Sequence, residues 1–196
     1  FIGRDAVQVF KENIEGIESD EEAIKFGCQL QKLQILSHVV DDHDFSDKEF
    51  FYRLHCHNTP SVLNSFRVWT ERIDSDSMAL LKRLKKMLGK VESEVTDNEG
   101  LVNYKEAVNL HSYRVFEEAV CELQGVSLDT MDEDTKLAFG INLYNLFIKY
   151  AFMKLGIGQS TLARSAFFSG AKMNIGGDIL SFNDLENGVL RGNRVP

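Results

Sequence analysis

Apolar positions in the first third of the chain change period once. Ala6, Val7, Val9, Phe10 and Ile14 trace a helical face behind Gly3-Arg4-Asp5. Ser19-Asp20-Glu21-Glu22 reads as a capping signal with acids in the first turn. It predicts a helix carrying Ala23, Ile24, Phe26, Leu30, Leu33 and Leu36. Then the spacing shortens. Val39 and Val40, Phe45, and Phe50, Phe51, Tyr52 and Leu54 flank an Asp-rich turn, which predicts a β-hairpin. Asn58-Thr59-Pro60 is the clearest break, because the residue before a proline is steered away from helix.

Helical spacing dominates the remainder. Ser77 is placed to cap a helix through Met78, Leu81, Leu84, Leu88 and Val91, whose other face is basic. Tyr104, Leu110, Tyr113, Phe116, Val120 and Leu123 predict one long amphipathic helix ending near Gly125. Another runs from Asp132 to Leu155 and stops at Gly156, and Ser160 to Phe168 is a short helix. Lys172 to Leu180, broken by Gly176-Gly177, reads as a hairpin, after which Ser181 and Asp184 cap a last helix, Phe182 to Leu190. The expected fold class is mainly α with small β-hairpins, an α+β chain.

Composition narrows the function. The 196 residues are 43% hydrophobic and 27% charged with 2 prolines, which excludes collagen-like, low-complexity and wholly disordered chains. A net charge of −8 argues against a nucleic-acid partner, since phosphate contacts need concentrated positive charge. The acidity is uneven: residues 1–58 hold 6 basic against 12 acidic side chains, whereas residues 59–100 hold 7 of each. Cys28, Cys56 and Cys121 form no CxxC pair, so neither a disulfide framework nor a zinc ribbon follows, and a reducing, cytoplasmic setting is expected. Phe139 to Ile157 is the most apolar stretch. Asn142, Asn145 and Lys149 interrupt it, so it reads as a buried helix rather than a membrane span.

FIGRDAVQVF, EEAIKFGCQLQKLQIL and HVVDDHDFSDKEFFYRL, from Phe1 to about Leu54, resemble the later two-thirds of a DEP domain. That resemblance implies a winged-helix-like signalling module whose first helix would precede Phe1, so the chain is expected to begin mid-protein. YRVFEEAVCELQGVSLDTMDED, KLAFGINLYNLFIKYAFMKLG and MNIGGDILSFNDLENGVLRGN, from about Tyr104 to Asn193, resemble the start of a DUF547 domain. The expected organisation is a DEP-like domain at 1–58, a helical connector at 59–100 and a DUF547-like domain at 101–196. The second resemblance implies distant kinship with papain-like and transglutaminase-like proteins, whose cysteine-bearing block would follow the end of this chain. Two positions depart from the family. Gly140 stands where a tryptophan is usual, and Tyr150 where a histidine is common, a poor replacement for an imidazole exchanging protons near neutral pH.

Two groups are candidate sites. Asn142, Tyr144, Asn145, Glu186 and Arg191 read either as a structural tie or as the wall of a polar pocket, because buried amides need hydrogen-bond partners. Lys82, Arg83, Lys85, Lys86 and Lys90 form an acid-free run on one amphipathic helix, suited to anionic lipid or an acidic partner. Asp41-Asp42-His43-Asp44 and His55-Cys56-His57 contain metal-ligand residue types but lack a second ligand pair, and they read as a turn and a strand end. Gly156 to Thr161 imitates a phosphate loop without the strand before it, and reads as a helix stop followed by a new cap. No metal, cofactor or catalytic residue is expected. The function expected is an intracellular signalling adaptor, peripheral to membranes and working through protein or lipid contacts. The alternative is a papain-like hydrolase or acyl transferase whose cysteine lies beyond this chain.

Overall fold

The computed structural model describes residues 1–73 and 76–192. Asp74 and Ser75 of the expected connector, and Asn193 at the end of the second resemblance, lie outside the described residues. The described residues are mainly helical with two small antiparallel hairpins, the fold class expected. It divides into two units, one of Phe1–Pro60 with Ser65–Val68, the other of Ser61–Asn64 with the chain from Trp69 onward.

The first unit holds α1 (Gly3–Asn13), α2 (Asp20–Lys32), β1 (Leu36–His38) and β2 (Tyr52–Leu54). Ser19 caps α2 in a full capping box: its Oγ accepts from Glu22 N–H at 3.2 Å, and Glu22 Oε2 accepts from Ser19 N–H at 3.0 Å. The hairpin pairs Leu36 with Leu54 and His38 with Tyr52, so β1 lies earlier than expected. Helical spacing carries Leu36 past the end of α2 on paper. In the structure the helix stops at Lys32 and Gln34 turns the chain at φ +54, which drops Leu36 into the core as a strand residue. Val39 and Val40 fall in the turn beyond, and Val40 is 69% exposed. The His55-Cys56-His57 triplet forms a 3₁₀ turn after β2 rather than a strand end.

Ala6, Val7, Ile17, Ala23, Leu36, Phe45 and Tyr52 make this unit's core. The acidic loop is tied beneath α2, where Gln31 accepts from Phe45 N–H at 2.6 Å and donates to His43 O at 2.9 Å. Phe45 then lies flat against Gly27, where an added Cβ would stand 2.1 Å from the ring.

The second unit begins its helices with α3 (Ser77–Glu94). Its N-cap is Asp76 rather than Ser77: Asp76 Oδ1 accepts from Ala79 N–H at 3.0 Å, and Ser77 takes the first helical position. Leu80, Leu81, Leu84, Leu88 and Val91 enter the core, where α3 meets α5 (His111–Ala119) and α6 (Glu133–Leu155). The long helix expected from Tyr104 is broken into α4 (Tyr104–Ala107), α5 and a 3₁₀ turn, Val120–Gly125. Leu110 is the break. Its extended backbone (φ −78, ψ 144) restarts the helix so that Tyr113 and Phe116 face inward.

Asp132 caps α6 and Gly156, at φ +79, ends it, as the pattern required. Ser160 caps α7 (Thr161–Gly170). The second hairpin joins β3 (Lys172–Ile175) to β4 (Asp178–Ser181) through Gly176 and Gly177, at φ +63 and +100. Residues 61–64 make a parallel bridge to β3: Leu63 N–H donates to Lys172 O at 2.8 Å, and Lys172 N–H to Ser61 O at 2.9 Å. Asn64, fully buried, continues that ladder with its side chain, donating to Asn174 O and accepting from Asn174 N–H. A π-helical turn, Asp184–Leu190, closes the described chain over α6. Its Leu190 comes within 3.2 Å of where a Cβ on Gly140 would stand, so the space over this glycine is already filled.

Replacing Gly27 by alanine drives a methyl group into the Phe45 ring. A loss of about 1–3 kcal/mol is expected, seen as a lower urea midpoint. An unchanged midpoint would show that the ring swings aside freely.

Candidate functional site

The core positions of α3 fix the direction of its other face. Lys82, Arg83, Lys85, Lys86 and Lys90 are all exposed. Lys82, Lys86 and Lys90 recur every fourth residue and so form one stripe. Arg83 is drawn aside into an ion pair with Glu122 of the 3₁₀ turn. Lys85 leans toward α6, its Nζ donating to Asn142 Oδ1 at 2.6 Å. Between them lies a cavity of about 420 Å³, lined by Met78, Ala79, Leu81, Lys82, Lys85 and Asn142, with Asp76 also in its wall.

The polar group expected on α6 therefore divides. Asn142 is half-buried; it donates to Ala138 O of its own helix at 2.7 Å and accepts from Lys85, so it meets the basic run. Tyr144 donates to Glu186 Oε2 at 3.4 Å, and Glu186 Oε1 pairs with Arg191 at 3.0 Å. Burial first, and then the Glu186 charge, raise the Tyr144 phenol above its ordinary pKa. Asn145 is exposed to solvent and joins neither group.

Pattern reading missed a polar knot inside the second unit. Tyr150 is fully buried, with its hydroxyl 2.8 Å from Leu63 O and 3.1 Å from Glu117 Oε1. Lys154 donates to Glu117 Oε1 at 2.5 Å and to Leu63 O at 3.0 Å, and Tyr113 donates to the same Glu117 oxygen at 3.3 Å. Desolvation, followed by the Glu117 carboxylate, pushes both phenols far above their ordinary range. Tyr150 thus stays protonated throughout the neutral range and is held as a hydrogen-bonding strut. Cys121 is equally buried, donating to Glu117 O at 3.6 Å, while the unit's single histidine, His111, is exposed at the start of α5. The spacing of Glu117 and Lys154 to Tyr113 and Tyr150, four residues on one helix face each, was the available signal.

In the first unit, His38 Nδ1 lies 2.7 Å from Asp42 Oδ1, and His43 stacks on Phe50 with ring centroids 4.3 Å apart. Burial lowers the His55 pKa. Among the described residues no three His, Cys, Asp or Glu side chains converge as a metal site. No helix among them is long and apolar enough to cross a membrane.

Residues 1–54 match the family model of the domain found in Dishevelled, Egl-10 and Pleckstrin (DEP). Residues 128–196 match DUF547, a protein family of unknown function. Both resemblances read from the sequence are therefore present, with two changes of placement. The first match carries no assignment to the later two-thirds of the DEP domain, and the second starts at Leu128 rather than near Tyr104. The chain is also similar to vacuolar membrane-associated protein IML1 of Yarrowia lipolytica, 39% identical over 54 residues, which is 28% of this chain and 4% of that protein. Its counterpart in Aspergillus oryzae is 33% identical over 76 residues, 39% of this chain and again 4% of the relative. The likeness thus spans a small part of each relative's length. No solved structure matches the chain.

The raised phenol pKa values set an alkaline limit on stability. Unfolded tyrosines ionise near pH 10, whereas folded Tyr113 and Tyr150 do not, so their contribution is complete below about pH 10 and is lost as the pH rises further. Tyr113→Phe removes one such group. Its unfolding free energy from urea titration should fall less steeply than the parent's above pH 10, by up to about 1.4 kcal/mol per pH unit; parallel slopes would show that Tyr113 ionises normally.

Proposed function

We propose that this chain is the docking portion of a peripheral membrane adaptor. In this reading residues 1–58 form a DEP-like protein-contact module, and the α3 part of the 59–100 connector is better grouped with the 101–196 region, since α3 shares that unit's core. The exposed lysine face of α3 supplies the attraction to anionic lipid. The observation that carries the reading is this acid-free stripe, held rigidly outward by the packing of Leu81, Leu84 and Leu88. The likeness of part of this chain to proteins named as vacuolar membrane-associated supports the same setting.

Each lysine near an anionic surface adds about 1 kcal/mol of attraction, and the term falls with salt. The test is co-sedimentation with phosphatidylserine-containing vesicles. Lys82→Glu/Lys86→Glu/Lys90→Glu together should weaken binding roughly a hundredfold at low salt. Equal sedimentation of parent and variant would refute membrane docking by this face.

A further inference from the structure

Three features stand outside the reading above: an apolar cleft of about 610 Å³ beside Tyr104, Phe152 and Phe167, an acidic hairpin loop with Val40 and Phe51 exposed, and the cavity between α3 and α6. The third says most about its occupant. We infer that the α3–α6 cavity is a binding site for a lipid phosphomonoester headgroup, with Lys82 and Lys85 as its cationic contacts and Asn142 as the residue that positions Lys85. This inference rests on the membrane reading and adds selectivity to it.

Charge commits the cavity to an anion. Lys82 and Lys85 both line it, Lys86 and Lys90 continue the positive surface beside it, and Arg83 is withdrawn to Glu122. Asp76 is the acid in the wall, and its Oδ1 is engaged in capping α3 through Ala79 N–H. A lysine on an open helix face has no fixed partner, whereas Asn142 accepts one hydrogen of Lys85 at 2.6 Å. Asn142 is itself oriented by its bond to Ala138 O, which forces its carbonyl oxygen toward α3. Two hydrogens of the Lys85 ammonium remain for a ligand.

The same features separate a phosphomonoester from ordinary anionic lipid. A monoester carries about −1.5 to −2 at neutral pH with three acceptor oxygens, so it engages two ammonium groups at once. Phosphatidylserine divides its negative charge between a singly charged phosphodiester and a carboxylate held beside its own ammonium, and so presents no doubly charged group to the two lysines. Met78, Ala79 and Leu81 give the cavity an apolar wall, and the lysine stripe flanks it, which favours a headgroup presented by a surface over a free solute. A cavity of this size lies within the range of about 300–1,000 Å³ typical of small-ligand sites.

The full chain should be titrated with phosphatidylcholine vesicles containing a phosphatidylinositol monophosphate, and with phosphatidylserine vesicles matched for total charge. The parent should bind the first roughly tenfold more tightly. Asn142→Ala, which frees Lys85 without touching the core, should shrink that preference below about twofold and leave phosphatidylserine binding unchanged. Asn142→Asp, which captures Lys85 in an ion pair, should do the same or more. If no vesicle binds, the membrane reading itself is overturned. Equal binding to the two charge-matched vesicles, or a preference that survives both Asn142 variants, overturns the headgroup site alone. Displacement by soluble inositol monophosphate at concentrations as low as the lipid's would assign the site to a solute, and displacement by a glutamate-rich peptide would assign it to an acidic protein.

Discussion

The hydroxyl of Tyr150 has no access to water, and the second unit is arranged to satisfy it. An unpaired buried hydroxyl costs about 1–3 kcal/mol, a large share of a domain's net stability. Its partners come from three stretches of chain: Glu117 of α5, Lys154 one turn along α6, and the carbonyl of Leu63. The last of these matters most for the architecture. Once Leu63 O is committed to the knot, residues 61–64 must run beside β3, where Lys172 and Asn174 complete their hydrogen bonds. One tyrosine thereby links the helical layer to the hairpin layer.

The knot also bears on chemistry. A tyrosine with a lysine and a glutamate at hydrogen-bond distance has the composition of a proton-transfer site, yet its burial and the carboxylate keep its proton in place. Burial disfavours the phenolate, and the adjacent carboxylate disfavours it further. Lys154 makes its short bond to Glu117, at 2.5 Å, and reaches the phenol oxygen only at 3.3 Å. Cys121 is enclosed in the same core.

Much of the fold was legible because local rules and tertiary packing agreed. Ser19 with Glu22, Asp132 with Thr135, and Ser160 with Ala163 are caps that short-range chemistry determines, and each helix starts where its cap stands. Misreadings occurred where two local readings were compatible and distant packing chose. Leu36 suits the period of α2 equally well, but burial opposite Leu54 places it in a strand. Leu110 continues a helical stripe in sequence and breaks the helix in space. The candidate site was legible in its parts and not in their combination. The lysines of α3 and Asn142 of α6 were each visible, but lie 57 residues apart for the Lys85 pair, and no periodicity reports a contact at that separation.

The helix α3 shows why that combination is more than chance proximity. A helix rotates as a unit, so seating Leu81, Leu84, Leu88 and Val91 in the core fixes the direction of Lys82, Lys85 and Lys86 with no further interaction. A solvated cationic face needs nothing else. The additional bond from Lys85 to Asn142 therefore does not serve to orient the helix. It acts one level lower, on a side chain that would otherwise sample many rotamers and lose roughly 2 kcal/mol of conformational freedom when held. Holding that ammonium over a cavity already lined by Lys82 concentrates positive charge where self-repulsion opposes it, an arrangement that an anion between the two lysines would relieve.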